Sequence, residues 1–432
     1  RSKASIQKSV DSVAASYLKD KKAAGMSIAV LRGADTLVMK GYGYADLELD
    51  VPTPPRAVYE IGSVTKQFTA ASILMLRDQG KLDLDDEITK YLPTYPTQGH
   101  KITVRRLLDH TSGIKGYTEL PKFGTIMTRH LPKDSLVALF SGEKFDFPTG
   151  DRMIYNNSAY FLAGMIIEKV SGMSYGDFVK KNLFDKAGMA DSRYCSETAI
   201  IKRKAHGYDM GPNGLQNKGF VDHTYPFSAG SLCSTVGDLA SWNRALHKGK
   251  ILSAKSYTDI TTPGVLNDGT KLRYTKGLAI HENHGHHVIE HGGGINGFLS
   301  ASDYFDQDDL VVIVLVNSAG PVAPDAIVGD IADVILGKKA LATQNFTGSL
   351  ADLTGKFAGV SRGPQLVLTV TADKGKLVAT TPMAPKPLNL QYIGNDTWDS
   401  DGQHVTFVRE GGKVTKLRID QVYGYYILDR QP

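Results

Sequence analysis

Cysteine and tryptophan are scarce in this sequence of 432 residues, with two of each, and no stretch of about 18 uncharged apolar residues occurs anywhere in it. Two cysteines, Cys195 and Cys233, are too few for a disulfide scaffold, although one bridge between them would suit an oxidising compartment. The sequence leaves that pairing open. Without a long apolar run, no membrane span is expected. Low-complexity tracts are also missing, and hydrophobic residues at 41% with charged residues at 22% are ordinary globular values, which excludes a disordered chain. Nor is there a run of basic residues: 50 Lys and Arg against 45 Asp and Glu leave a diffuse +5, which points away from nucleic acid. The first residue is Arg1 rather than Met, which suggests a removed upstream piece such as a signal peptide and a periplasmic or secreted location.

What is present reads as an α+β chain. Ile6, Val10, Val13 and Tyr17 stand at helical spacing, and strands are expected over 26–31 and 36–43 around the Arg32-Gly33-Ala34-Asp35 turn. From about 60 to 255 helical patterns alternate with Gly, Pro and Thr-Ser-Gly loops. Strand patterns return at 277–281, 287–291, 298–305 and 310–317, followed by a helix with Ile327, Ile331, Val334 and Ile335 on one face. The two ends should therefore share one antiparallel sheet flanked by helices, with a mostly helical insertion and the site between the two parts. One large unit over 1–340 is expected. After about residue 345, short alternating runs at 366–371, 376–381, 404–409 and 414–420 predict a small β-barrel or half-barrel over 346–432.

Three short patterns carry chemistry. In Ser63-Val64-Thr65-Lys66 the serine opens a helix with apolar Val64, Phe68, Ala71 and Met75, and Lys66 lies one turn on, within reach of the Ser63 hydroxyl. The amide end of that helix favours an alkoxide and an oxyanion. Ile73, Leu74 and Leu76 leave the helix apolar on nearly all sides, so Lys66 should be partly buried. Tyr155-Asn156-Asn157 follows the turn Phe147-Pro148-Thr149-Gly150, which displays Tyr155 on a loop where a neighbouring ammonium would favour phenolate. His291-Gly292-Gly293-Gly294 lies between two strands, its glycines allowing backbone to approach a ligand and an amide of this edge to pair with that of Ser63 in an oxyanion hole.

In this order, Ser-x-x-Lys, Tyr-x-Asn and His-x-Gly resemble the motifs of the penicillin-recognising serine hydrolases: class C beta-lactamases, D-alanyl-D-alanine carboxypeptidases, D-aminopeptidases and beta-lactamase-like esterases. The likeness spans about residues 1 to 340, with support from Leu107-Leu108-Asp109-His110-Thr111-Ser112-Gly113-Ile114 and Phe227-Ser228-Ala229-Gly230-Ser231-Leu232. It implies an acyl-enzyme on Ser63, proton transfer by Lys66 and Tyr155, a substrate amide oriented by Asn157, substrate contacts from His291, Gly293 and Gly294, and no cofactor or metal. Substrates would be small peptides or acyl compounds, β-lactams among them; the oligomeric state is open. Asn156 stands where serine is frequent, and His291 where lactamases usually have lysine. The latter favours peptidase or esterase action over lactam turnover, because histidine lacks a permanent charge.

Gly172-Met173-Ser174-Tyr175-Gly176 matches a nucleophile elbow, but a helical pattern precedes it where a strand is required. Five of the twelve histidines fall within 281–291, yet a turn at Asn283-His284-Gly285 should scatter them rather than gather them around a metal. Adjacent Asp109 and His110 cannot orient each other as a triad requires. A penicillin-binding protein that acylates and stalls needs the same nucleophile as a hydrolase.

Overall fold

The computed structural model describes residues 2–19, 22–339, 343–382, 386–400, 403–421 and 423–432. Helix α1 (Lys3–Leu18) leads into β1 (Gly25–Arg32), β2 (Asp35–Asp46) and the short β3 (Val51–Pro52). After a long excursion the chain returns through β4 (Ala279–Asn283), β5 (His286–Ile295), β6 (Phe298–Phe305) and β7 (Leu310–Val316). These strands form one sheet in the order β3-β2-β1-β7-β6-β5-β4, every pair antiparallel. The seam between the two chain ends is the β1–β7 ladder, Met26 opposite Val316 through Arg32 opposite Leu310. Every residue of Leu310–Val316 is buried, as a central strand covered on both faces requires.

Alternation along β7 sorts the core into two. Leu310, Val312, Val314 and Val316 face Ile6, Val10 and Ala14 of α1 and Ile327, Val328 and Ile331 of the last long helix (Pro324–Leu336). Val311, Ile313 and Leu315 face the helical insertion. That insertion is built around α2 (Thr65–Asp78) and α3 (Asn157–Ser171), so the last long helix is α4. Residues 65 to 76 of α2 are all buried, the all-round burial expected of a core helix. Among the described residues no helix is long and apolar enough to cross a membrane.

Two expected strand bounds shift. The fourth-edge strand begins at Ala279 rather than 277, because Gly277 turns with φ +78° against the carbonyl of Lys66, where a Cβ would lie 2.5 Å from that oxygen. The strand expected over 287–291 runs on to Ile295, so the three glycines sit within β5 and pair with Leu299, Ser300 and Ala301. The final segment closes fully: eight strands from Gly355–Gly359 to Gly424–Arg430 make a barrel around Phe357, Leu368, Trp398, Phe407 and Leu417.

Cys195 and Cys233 are bonded, 38 residues apart in sequence, beside a small sheet in which Leu232–Ser234 pairs with both Tyr59–Glu60 and Arg193–Tyr194. Replacing both by serine should cost about 4 kcal/mol, by loop-closure entropy returned to the unfolded chain. Denaturant midpoints of wild type and variant measure it, and equal midpoints would show that the bridge carries no stability.

Candidate active site

Ser63 lies in the single 3-10 turn Gly62–Val64 that feeds α2, at the mouth of a cleft of ≈ 570 Å³. Gly62 has φ +50°, and a Cβ there would stand 2.8 Å from the Gly294 amide nitrogen, so only glycine lets the turn lie against β5. Lys66, one turn on, has no exposed surface. Its Nζ is 3.0 Å from Ser63 Oγ, 2.8 Å from Asn157 Oδ1 and 2.8 Å from the Ala229 carbonyl oxygen. Two of these neighbours are carbonyl oxygens that only accept, whereas the third is a hydroxyl that can donate, so an uncharged amine satisfies all three contacts. Burial drives its pKa well below the ordinary lysine range; the Arg362 cation lowers it further and Glu119 opposes.

Tyr155 precedes α3 with its ring 4.7 Å from Lys66 Nζ. Its hydroxyl is buried and closes no hydrogen bond within the protein, while the Ser63 hydroxyl is the polar side chain that most favours its ionised form. Burial outweighs that help and the help of Arg362, and holds the phenol above its ordinary range. The expectation of a resting phenolate is therefore corrected: desolvation disfavours both charged forms here, leaving Lys66 the better base and Tyr155 a neutral donor. Asn156 caps α3 by accepting from the Ala159 amide and donating to the Ile114 carbonyl, which frees Asn157 to face Lys66 and Thr118.

The glycine strand supplies the facing wall. β4 ends its pairing at Ala279 opposite Glu290, so from His291 onward one edge of β5 has no strand beside it. The Gly292 amide donates across that edge to the Tyr423 hydroxyl at 2.7 Å. By strand alternation the Gly294 amide points to the same edge, where Ser63 also lines the cleft. Gly293 lies against the Ser63 turn, a Cβ there falling 2.9 Å from the Ser63 nitrogen.

His291 is placed differently from the expectation of a substrate contact. Its side chain has no exposed surface and stacks 4.6 Å from Tyr423, behind the cleft wall. Nδ1 is 2.6 Å from the Gly292 carbonyl oxygen and must carry the proton; Nε2, 2.9 Å from the Tyr274 hydroxyl, accepts. Burial and then Lys66 push its pKa down to about 3, so it contributes no positive charge. The other four histidines of the 281–291 segment reach separate partners: Glu290, Asp333, the Gly337 carbonyl and Asp306. Ser174 follows a helix and caps the next one through Asp177, which excludes the elbow. His110 accepts the Asn156 amide on Nδ1 at 3.1 Å and packs 4.4 Å from the Tyr155 ring, which makes it a positioning residue.

The Beta-lactamase family model matches residues 10–334. The chain belongs to this family. It is similar to penicillin-binding protein 4* of Bacillus subtilis, 28% identical with 67% of each chain covered, and so spans about two thirds of that relative. Among solved structures it is similar to the octameric penicillin-binding protein homologue from Pyrococcus abyssi, 25% identical, TM-score 0.68, with 97% of this chain and 99% of that chain covered. It is also similar to a D-stereospecific amidohydrolase from Streptomyces sp., 26% identical, TM-score 0.65, covering 78% of this chain and 100% of that one. This beta-lactamase-family member is a serine hydrolase.

The hydrolase also draws cleft residues from its barrel, which the motifs did not reveal. Tyr423 stacks 5.2 Å from Tyr155 as well as on His291. Arg362 holds its guanidinium 5.3 Å from the Tyr155 ring, with Nε 2.6 Å from Glu119 and Nη2 3.2 Å from Thr118 Oγ1. Removing a cation beside an amine raises that amine's pKa, so Arg362→Gln should move the acid limb of kcat/KM to higher pH and lower activity severalfold below that limb. Glu119→Gln should move the limb the opposite way. The pH profiles of both variants check the signs, and shifts in one common direction would exclude Lys66 as the group they act on.

Proposed function

We propose that this hydrolase cleaves an amide or ester bond of a small peptide or acyl compound, with D-residue amidase or peptidase chemistry as its favoured form. The observation that carries this reading is the 3.0 Å approach of an uncharged, fully buried Lys66 amine to Ser63 Oγ. Similarity to D-amino acid amidase from Ochrobactrum anthropi, 25% identical with TM-score 0.66, supports the substrate class.

In the proposed first step Ser63 Oγ gives its proton to Lys66 Nζ and bonds to the substrate carbonyl carbon, whose π pair moves onto oxygen. The amides of Ser63 and Gly294 hold that oxyanion, and Asn157 orients the substrate amide. As the tetrahedral carbon collapses, its bond to the leaving nitrogen or oxygen breaks. The leaving group takes a proton from Tyr155, which recovers one from Lys66. In the second step water bonds to the acyl carbon and surrenders a proton to Lys66, the Ser63 ester bond breaks, and Ser63 Oγ takes that proton from Lys66 to give the acid and free serine. Beside Ser63 a second, smaller pocket of ≈ 130 Å³ is lined by Tyr117, Phe123, Met127, Val221 and Pro226, a size and polarity that suit one apolar side chain of the acyl group.

With His291 uncharged and Arg362 neutralised by Glu119, no free cation among the described residues lining the cleft awaits a lactam carboxylate, so lactam turnover should be slow. A panel of D- and L-amino acid amides, p-nitrophenyl esters and nitrocefin, with burst kinetics, tests the reading. Preferred turnover of a D-amide bearing an apolar side chain is expected; one equivalent of product with no turnover on any substrate would favour a penicillin-binding protein that stalls as its acyl-enzyme. The Cys195–Cys233 bridge supports a periplasmic or secreted setting.

A further inference from the structure

Immediately before the glycine strand, Glu290 on β5 stands directly opposite Asp303 on β6. Both point to the α4 side of the sheet, where the first turn of α4 brings in Asp325. Carboxylate oxygens of the three lie within 4.8 Å of one another. Glu290 is 2% exposed and Asp303 1%, and Glu290 Oε2 and Asp303 Oδ1 have no hydrogen-bond partner. Among the described residues no Lys or Arg pairs with any of the three; the nearest basic group, His281, is 3.3 Å from Glu290 and kept neutral by burial. Two carboxylates in a dry space beside an exposed third, with two oxygens left bare, call for a compensating positive charge.

We propose that Glu290, Asp303 and Asp325 bind one hard divalent cation of the calcium class. An all-oxygen carboxylate set is what such ions select, and three oxygens within 4.8 Å of one another are close enough to share one ion. Asp325 also lines the cleft together with Ala323 and Pro324, which gives the ion an entry path and room for water ligands. The cation ties β5 to α4 directly behind Gly292, whose Cβ direction leads to Asp325 Oδ1 at 3.6 Å. Its role is positional: it fixes the strand that carries the Gly294 amide, and it takes no part in bond making. Burial raises the carboxyl pKa values of all three, and neighbouring carboxylates add to it for Glu290 and Asp303, so a shared proton is the competing state that the metal must displace.

The test is calorimetric titration of the chelator-treated full chain with Ca²⁺ alone and with Mg²⁺ alone, alongside thermal melts. One site per chain is expected, Ca²⁺ favoured over Mg²⁺, with a melting midpoint several degrees higher when Ca²⁺ is at 100 times its Kd. Asp303→Asn and Asp325→Asn should each weaken binding at least tenfold. Asp325 opens to the cleft, so its variant decides the matter if the buried one does not fold. No heat and no midpoint shift up to about 5 mM, above the weakest class of Ca²⁺ site, would overturn the proposal. So would unchanged affinity in Asp325→Asn, or affinity lost instead in Asp333→Asn, which disrupts the separate His284, Asp330 and Asp333 cluster.

Discussion

Ser63→Ala and Lys66→Met each lower kcat/KM by at least ~10⁴-fold, and the double variant is no slower than the worse single one. The nucleophile and its base act as one unit: with the hydroxyl gone the amine has no proton to receive, and with the amine gone the hydroxyl has no acceptor at 3.0 Å. Lys66→Met keeps the volume of the side chain but strips Asn157 Oδ1 and the Ala229 carbonyl of a donor, at about 1–3 kcal/mol for each buried acceptor left bare. That loss is offset in part, because a methionine needs no desolvation and the buried amine does. Steady-state kinetics on the best substrate, with melts to confirm folding, measure the effect. Multiplicative losses in the double variant would mean that Ser63 and Lys66 serve separate steps.

Much of this site was legible because its parts lie close in sequence and each has a local physical reason. Ser63 and Lys66 are three residues apart on a helix whose apolar faces announce burial, and the strand patterns at 26–31 and 310–317 announced a sheet shared by the two chain ends, whose seam the structure places between them. His291 shows where such reading ends. Its position in a motif says nothing of which way the ring turns, and the ring packs behind the cleft wall into a nest of Tyr274, Tyr155 and Tyr423 rather than into the cleft itself. Arg362 and Tyr423 were illegible for another reason. They belong to turns of the barrel, and only its docking on the hydrolase domain, through Arg273 with Asp420 at 2.8 Å and Arg152 with the Ile427 carbonyl at 3.2 Å, brings them to Ser63's cleft.

The same docking explains why a charge on the barrel bears on the chemistry. Lys66 is buried among aromatic rings and amide oxygens with no carboxylate in contact, so its charge state responds to more distant groups than a solvated lysine would feel. Arg362 and Glu119 form an ion pair with one end on the barrel and the other in the helical part, and its two members bias the amine in opposite directions. A barrel that loosens would separate the pair and retune the base without touching it.

Gly293→Ala lowers kcat by roughly 10²–10³-fold, the loss expected when one oxyanion donor is displaced, whereas Gly294→Ala stays within a few fold of wild type. The contrast follows from space alone, since neither glycine has a positive φ. A Cβ on Gly293 would fall 2.1 Å from the Ile61 carbonyl oxygen, 2.5 Å from Ser300 Oγ and 2.9 Å from the Ser63 nitrogen. Ile61 cannot yield freely, because Ser300 Oγ donates to that same carbonyl at 2.9 Å, so the strand and the nucleophile turn must part and the two amides lose their common focus. On Gly294 the added methyl meets only Leu299 Cδ2 at 3.3 Å, a flexible end that can move aside. Burst amplitude and kcat for both variants, with circular dichroism to confirm the fold, separate the cases. A Gly293→Ala enzyme with wild-type kcat would show that the oxyanion is held elsewhere than between Ser63 and β5.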